Sequence, residues 1–163
     1  MENALGFGLS LLGIPYQWWG GGECEKYEPM WALDEAVPKK ENIVSCNCAG
    51  LLNLIHRYNN KKIPYCSFSK GGTESYYIYY QDVSENFDIN KIYPRGTLII
   101  KNYKNKQDQG HVAIILENLG SKSKILQSHI DEKTNGVTTF YNLETSHKNY
   151  KYEKAVLPEN WII

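Results

Sequence analysis

The sequence is poor in cysteine and methionine, and neither sign of charge dominates it. Its 163 residues include four cysteines and two methionines, and 18 Lys and Arg balance 18 Asp and Glu. So few cysteines do not make a disulfide scaffold in a chain of this length, and the paired C-x-x-C motifs of a four-thiolate zinc site are missing. A formal net charge of zero gives no electrostatic reason to expect a nucleic acid or an anionic membrane as partner. We therefore expect a protein without metal, cofactor or nucleic-acid partner.

Long hydrophobic runs are also absent. No apolar stretch approaches the ~20 residues that cross a bilayer, so we expect no membrane span. The apolar N-terminal stretch follows the acidic Glu2 instead of a basic segment, and it runs into Pro15 and Tyr16 instead of a small-residue cleavage site. We interpret it as a first helix, Asn3–Leu12, and expect no signal peptide. Unpaired thiols without an export signal favour the cytoplasm, although the compartment stays open.

Helical patterns come first in the chain and short β-type runs follow. The predicted helices are Asn3–Leu12, Met30–Ala36, Cys48–Tyr58 and Thr73–Gln81. The predicted strands are Leu98–Ile100, His111–Leu116, Lys124–Ile130, Val137–Tyr141 and Tyr152–Leu157, and one of the turns between them is Asn135–Gly136. This order and length predict one α+β domain over residues 1–163, with N-terminal helices packed on a curved antiparallel β-sheet.

Cys48 stands where a loop becomes a buried helix. Asn47 is a suitable N-cap, and the leucines from Leu51 onward give the apolar stripe of a core helix. A thiol in the first helical turn lies near free N–H groups that lower its pKa and can receive an oxyanion. Cys48 is therefore the candidate nucleophile. The alternatives are that it is a small buried apolar residue, or that Cys46, which precedes the helix, takes its place.

His111 begins an otherwise apolar strand and is the candidate general base. If Leu116 pairs with Lys124 across the following turn, His111 lies opposite His129, and a slip of two residues offers Gln127 on the same face. Either side chain could orient the imidazole, as nucleophilic catalysis by a thiol and a histidine requires. The other histidines, His56 and His147, are expected to be structural, with His147 in a polar loop.

The motifs in this order resemble those of NlpC-type cell-wall cysteine peptidases. They are Gly13-x-Pro15-Tyr16-x-Trp18-x-Gly20-Gly21, Asn47-Cys48-Ala49-Gly50-Leu51 and Gly110-His111-Val112-Ala113-Ile114, followed by a polar residue one strand later. The resemblance implies a papain-like fold and cleavage of γ-D-glutamyl-diamino-acid bonds in peptidoglycan stem peptides. It also implies a triad of nucleophile Cys48, base His111 and orienting residue His129, with Gln127 as the alternative. Tyr16 would lie beside the nucleophile, and Trp18 would join it in binding substrate.

Three functions stay open on the sequence alone. The first is hydrolysis of an amide or isopeptide bond through an acyl-enzyme on Cys48. The second keeps the same triad but transfers the acyl group or deamidates a protein, because one fold hosts several of these reactions. The third is a non-catalytic module that binds a peptide or glycan through its aromatic residues.

Overall fold

A computed structural model describes residues 1–18, 39–66 and 69–163 of the chain. Its α-helices are α1 (Glu2–Ser10), α2 (Cys48–Tyr58), α3 (Thr73–Tyr79) and α4 (Leu143–Tyr150). Its strands are β1 (Tyr65–Cys66), β2 (Ser69–Lys70), β3 (Glu85–Asn86), β4 (Leu98–Lys101), β5 (His111–Ile115), β6 (Ile125–Ile130), β7 (Asn135–Thr138) and β8 (Lys154–Val156). Short 3₁₀ turns lie at Lys40–Asn42, Gly120–Lys122 and Pro158–Asn160. The predicted helix Met30–Ala36 lies outside the described residues.

The helix that carries Cys48 has the predicted bounds. Asn47 caps it, with its Oδ1 accepting from the Gly50 N–H at 2.6 Å. The helix ends at Tyr58, and Asn60 takes a left-handed φ of 56°, which stops further helical turns. Almost the whole of α2 is buried, so it is the central helix of the helical layer.

The described strands include a six-stranded sheet in the order β3-β8-β4-β5-β6-β7, and every neighbouring pair is antiparallel. The register predicted between β5 and β6 is confirmed, because Leu116 N–H donates to the Lys124 carbonyl at 2.8 Å and Ile115 pairs with Ile125. With helices preceding this sheet, the α+β class is also confirmed.

The sheet is buried on both faces. Val112 and Ile114 of β5 pack in a core with helices α1 and α2, whereas Ala113 and Ile115 pack in a second core. That second core also contains Leu143 at the start of α4 and Tyr152 just after it. Both faces of β5 are covered, which explains why its sequence after His111 is a continuous apolar run.

Helix α4 and the bounds of β7 differ from the predictions. The segment around His147, predicted as a loop, is helical, because Asn142 caps it with Oδ1 accepting from the Thr145 N–H at 2.9 Å. The predicted turn at Asn135–Gly136 is part of β7. The hairpin instead turns earlier, where Asp131 Oδ1 accepts from the Thr134 N–H at 2.7 Å.

Within the described ranges, no helix combines the length and apolar character needed to cross a bilayer.

Candidate active site

Cys48 is the first residue of α2, and it is only 9 % exposed. Burial raises its pKa, and this outweighs the opposite effect of the Val112 and Ala49 N–H groups and the Thr73 hydroxyl. The predicted lowering of the thiol pKa by the helix start is therefore wrong for this structure. The N–H groups are present, but the loss of water around the sulfur has the larger effect.

The imidazole of His111 is held by Gln127. Its Nε2 lies 2.7 Å from Gln127 Oε1, and both side chains are buried. Because a glutamine oxygen only accepts, Nε2 carries the proton and Nδ1 carries the lone pair that a general base needs. Ser146 and Tyr152 extend this buried network, with 3.5 Å between Ser146 Oγ and Gln127 Oε1 and 2.7 Å between the two hydroxyls.

His129 lies beside His111 without hydrogen bonding to it, whereas Gln127, the alternative predicted partner, does form a hydrogen bond to His111. The two imidazole rings are 6.0 Å apart and meet edge to face. His129 Nε2 instead lies 3.2 Å from Asp131 Oδ2, and its Nδ1 contacts the Tyr150 hydroxyl. The long Gln127 side chain reaches His111 diagonally across the two strands, without any slip of register.

The Cys48 sulfur lies next to the start of β5, the strand that begins with His111. The sulfur lies against the N–H of Val112, the residue that follows His111. Alternation along the strand puts the His111 ring on the other face, with Ala113. Within the described chain, the hydrogen-bonding partners of the sulfur are N–H groups and the Thr73 hydroxyl, and the His111 ring is not among them.

Tyr16 lies close to Cys48, as predicted from the family resemblance. It forms a parallel bridge with Cys46, in which Cys46 N–H donates to the Pro15 carbonyl at 3.0 Å. Burial raises the pKa of Tyr16, and the negative charge of a Cys48 thiolate would raise it further. Cys46 itself is fully buried, and its pKa is raised to about 12. Its burial and its backbone bridge to Tyr16 indicate a structural residue.

Trp18 is 40 % exposed, and its indole N–H donates to the side chain of Gln109. Gln109 is two residues before His111, so the Trp18 side chain contacts the loop that leads into β5. Gly20 and Gly21 of the same predicted motif lie outside the described residues.

Searches of family models, curated proteins and solved structures found no match to this chain. The likeness to NlpC-type peptidases therefore depends on the motifs quoted above. What the structure adds is the position of the predicted residues around the start of β5.

Sequence reasoning missed the contribution of α4. Its last residue, Tyr150, stacks on His111 with ring centroids 3.8 Å apart and an angle of 9° between the planes. Ser146 of the same helix joins the Gln127 network. Asn142 at its N-cap was the available signal, but the segment is mostly polar, so it lacked the apolar stripe that marks a core helix.

The remaining histidines have structural contacts. His56 Nδ1 lies 3.2 Å from the Lys62 carbonyl, and its Nε2 lies 3.2 Å from the Tyr80 hydroxyl. Burial lowers its pKa to about 4. His147 Nδ1 accepts from the Tyr152 N–H at 3.1 Å. Among the described residues, no three His, Cys, Asp or Glu side chains form a group that could hold a metal ion.

Proposed function

We propose that this chain is a cysteine hydrolase that cleaves amide or isopeptide bonds through an acyl-enzyme on Cys48. The observation that carries the proposal is the 2.7 Å bond from His111 Nε2 to Gln127, together with a thiol at a helix start that lies against the N–H of the next residue, Val112. A thiol, a base and a group that orients the base are the parts that this chemistry needs.

In the proposed reaction, His111 Nδ1 takes the thiol proton as the sulfur of Cys48 attacks the substrate carbonyl. The C–N bond then breaks, the amine leaves with the proton from His111, and the acyl group stays on sulfur. Water, activated by His111, then attacks the thioester carbonyl; the C–S bond breaks, the carboxylic acid leaves, and the thiol regains its proton. The N–H groups at the start of α2 and the Tyr16 hydroxyl are the candidate donors to the oxyanion.

Both reacting groups start neutral in this proposal. Burial raises the pKa of Cys48 and lowers that of His111 to about 3, so a preformed ion pair is disfavoured. The thiol must also turn from Val112 and Thr73 toward the ring. Catalytic hydrogen bonds commonly tighten only in the substrate complex. We therefore assign the rotation of the Cys48 thiol toward His111 to the step in which substrate binds.

The proposed fold type is papain-like, and the proposed substrate is a peptidoglycan stem peptide cut at its γ-D-glutamyl-diamino-acid bond. The support is the resemblance to NlpC-type peptidases and the order of thiol, histidine and polar residue along the chain. The aromatic pair Tyr16 and Trp18 flanks the helix start and the β5 start, which suits it to line a substrate groove.

The test is digestion of purified peptidoglycan and of a diamino-acid tetrapeptide, with mass spectrometry of the products. Cys48→Ala should lower hydrolysis by at least ~1,000-fold, because it removes the nucleophile. Cys66→Ala, which removes a thiol outside this site, is the matched control and should keep full activity. Full hydrolysis by the Cys48 variant would end the proposal, and an acylated amine among the products would make the reaction transfer instead.

A binding module is the second candidate, and the buried thiol with its raised pKa favours it. In that case the tetrapeptide is bound but not cut. Calorimetry with the tetrapeptide and Cys48→Ala separates the two functions, because binding without a thiol-dependent product supports the module.

A further inference from the structure

Tyr150 covers one face of the His111 ring. The two rings are nearly parallel, at 9°, and their centroids are 3.8 Å apart. The Tyr150 hydroxyl contacts Nδ1 of His129, so Tyr150 is in contact with both histidines of the site. Nothing in the proposed reaction uses this tyrosine.

The position of Tyr150 is fixed through His129 by the β6–β7 turn. His129 Nε2 lies 3.2 Å from Asp131 Oδ2. The other carboxylate oxygen of Asp131 accepts from the N–H groups of Lys133 at 2.8 Å and Thr134 at 2.7 Å. A chain of contacts therefore runs from the hairpin turn through His129 to the ring that lies on His111.

We propose that Tyr150 is a positioning residue that holds the His111 ring and stabilises its imidazolium, and that His129 and Asp131 contribute by holding Tyr150. This rests on the proposed function, because the imidazolium forms when His111 takes the Cys48 proton. It gives His129 a role different from the orienting one expected from the sequence.

The physical reason is the negative face of the tyrosine ring. A cation within ~6 Å of an aromatic face is attracted to it, and the attraction grows when water is excluded. The His111 ring is buried, and this burial opposes its protonation. A ring face at 3.8 Å offsets part of that opposition when the proton arrives.

Other groups also face His111, and they have to stay constant in a test. They are Gln127 and His129 from β6, Tyr152 after α4, and Lys101, which pairs with His111 across the β4–β5 ladder and with Glu153 at 2.8 Å. Cys48 from α2 lies against the next residue of β5, Val112. Substitutions at Tyr150 alone leave all of them in place.

The experiment measures the rate of Cys48 alkylation by iodoacetamide from pH 5 to 11, with peptide mapping to identify the modified thiol. At neutral pH the reactive form is the thiolate–imidazolium pair, whereas at high pH it is the thiolate beside neutral His111. The ratio of the neutral rate to the alkaline rate therefore reports the stability of the imidazolium, and each variant supplies its own reference.

Tyr150→Phe and Tyr150→Leu form the matched pair, since both lose the hydroxyl and only Phe keeps an aromatic face. We expect the ratio of the neutral to the alkaline alkylation rate to be about three- to tenfold lower in the Tyr150→Leu variant than in the Tyr150→Phe variant. Tyr79→Leu, an exposed tyrosine outside the site, should leave the ratio unchanged. Tyr150→Met replaces Leu if circular dichroism shows that the Leu variant is unfolded. Equal ratios in the Phe variant and the aliphatic variant would overturn the proposal.

A double-mutant cycle tests the role of His129. His129→Ala should lower the ratio in the wild-type chain but have little effect in Tyr150→Phe, where the hydroxyl contact is already gone. An equal loss in both backgrounds would mean that His129 acts on His111 directly, and would overturn this part. A wild-type profile with no neutral plateau would overturn the inference as a whole. These outcomes need no substrate, so they are distinct from a failure of peptide hydrolysis.

Discussion

At the scale of single residues, Gln127 has the most specific contact in the site. Its Oε1 fixes which nitrogen of His111 carries the proton. The Ser146 hydroxyl contacts the same oxygen and is held in turn by the Tyr152 hydroxyl. An orienting group of this kind acts on catalysis by keeping the base in one tautomer and one orientation.

Replacing Gln127 by Leu should therefore lower kcat about 100-fold on a cleavable peptide, since the His111 ring loses its orienting partner. Steady-state kinetics provide the measurement. Ser128→Ala is the control on the same strand, because the Ser128 hydroxyl points to the other side and donates to the Cys46 carbonyl at 2.8 Å. A Gln127→Leu enzyme with wild-type kcat would show that the amide does not orient the base.

At the scale of elements, β7 positions the segment that carries Tyr16. Gly13 N–H donates to the Val137 carbonyl, and Val137 N–H donates to the Ile14 carbonyl, each at 2.9 Å. A Cβ on Gly136 would lie 1.9 Å from the Ile14 oxygen, and the φ of Gly136 is 114°. Only glycine allows this close approach.

Gly136→Ala should therefore destabilise the fold by at least ~2 kcal/mol more than Gly13→Ala. Both glycines have positive φ, but a Cβ at Gly13 meets no atom within 4 Å, so the comparison isolates the clash with Ile14. Urea denaturation of the two variants gives the difference. Equal losses of stability would mean that β7 moves away from the segment at no further cost.

Helix α4 shows why one element can supply much of a site without being readable from the sequence. It brings Ser146 and Tyr150 to the two histidine strands, yet most of its residues are polar. Its buried face consists of Leu143 and Ser146, too few positions to set an apolar period.

At the scale of the whole molecule, buried neutral histidines link folding to pH. Burial lowers the pKa of His111 to about 3 and that of His56 to about 4, and it lowers the pKa of His147 as well. In the unfolded chain these groups take up protons near pH 6.5, so the unfolded state binds more protons below that pH. Stability therefore rises with pH across this range and falls on acidification.

The free energy of unfolding should drop between pH 6.5 and 5 by up to about 1.4 kcal/mol per pH unit for each buried histidine. Urea denaturation across this range measures the slope. His111→Gln should reduce the slope by about one proton, since it removes one of the groups. An unchanged slope in that variant would show that His111 is already protonated in the folded protein.

The sequence by itself determined the local structure. The cap at Asn47, the bounds of α2, the β5–β6 register and the α+β order follow from short-range chemistry that is written in neighbouring residues. It also identified the residues that gather at the start of β5, namely Cys48, His111, Gln127 and His129.

Only the tertiary structure decided what each of these residues touches. Register put both Gln127 and His129 on the face of His111, but the reach of the side chains gave the hydrogen bond to Gln127. The helix start predicted a lowered pKa for Cys48, but packing around the sulfur removed water and raised it. Desolvation and contacts between distant segments depend on how the whole chain packs, so no local pattern in the sequence could determine them.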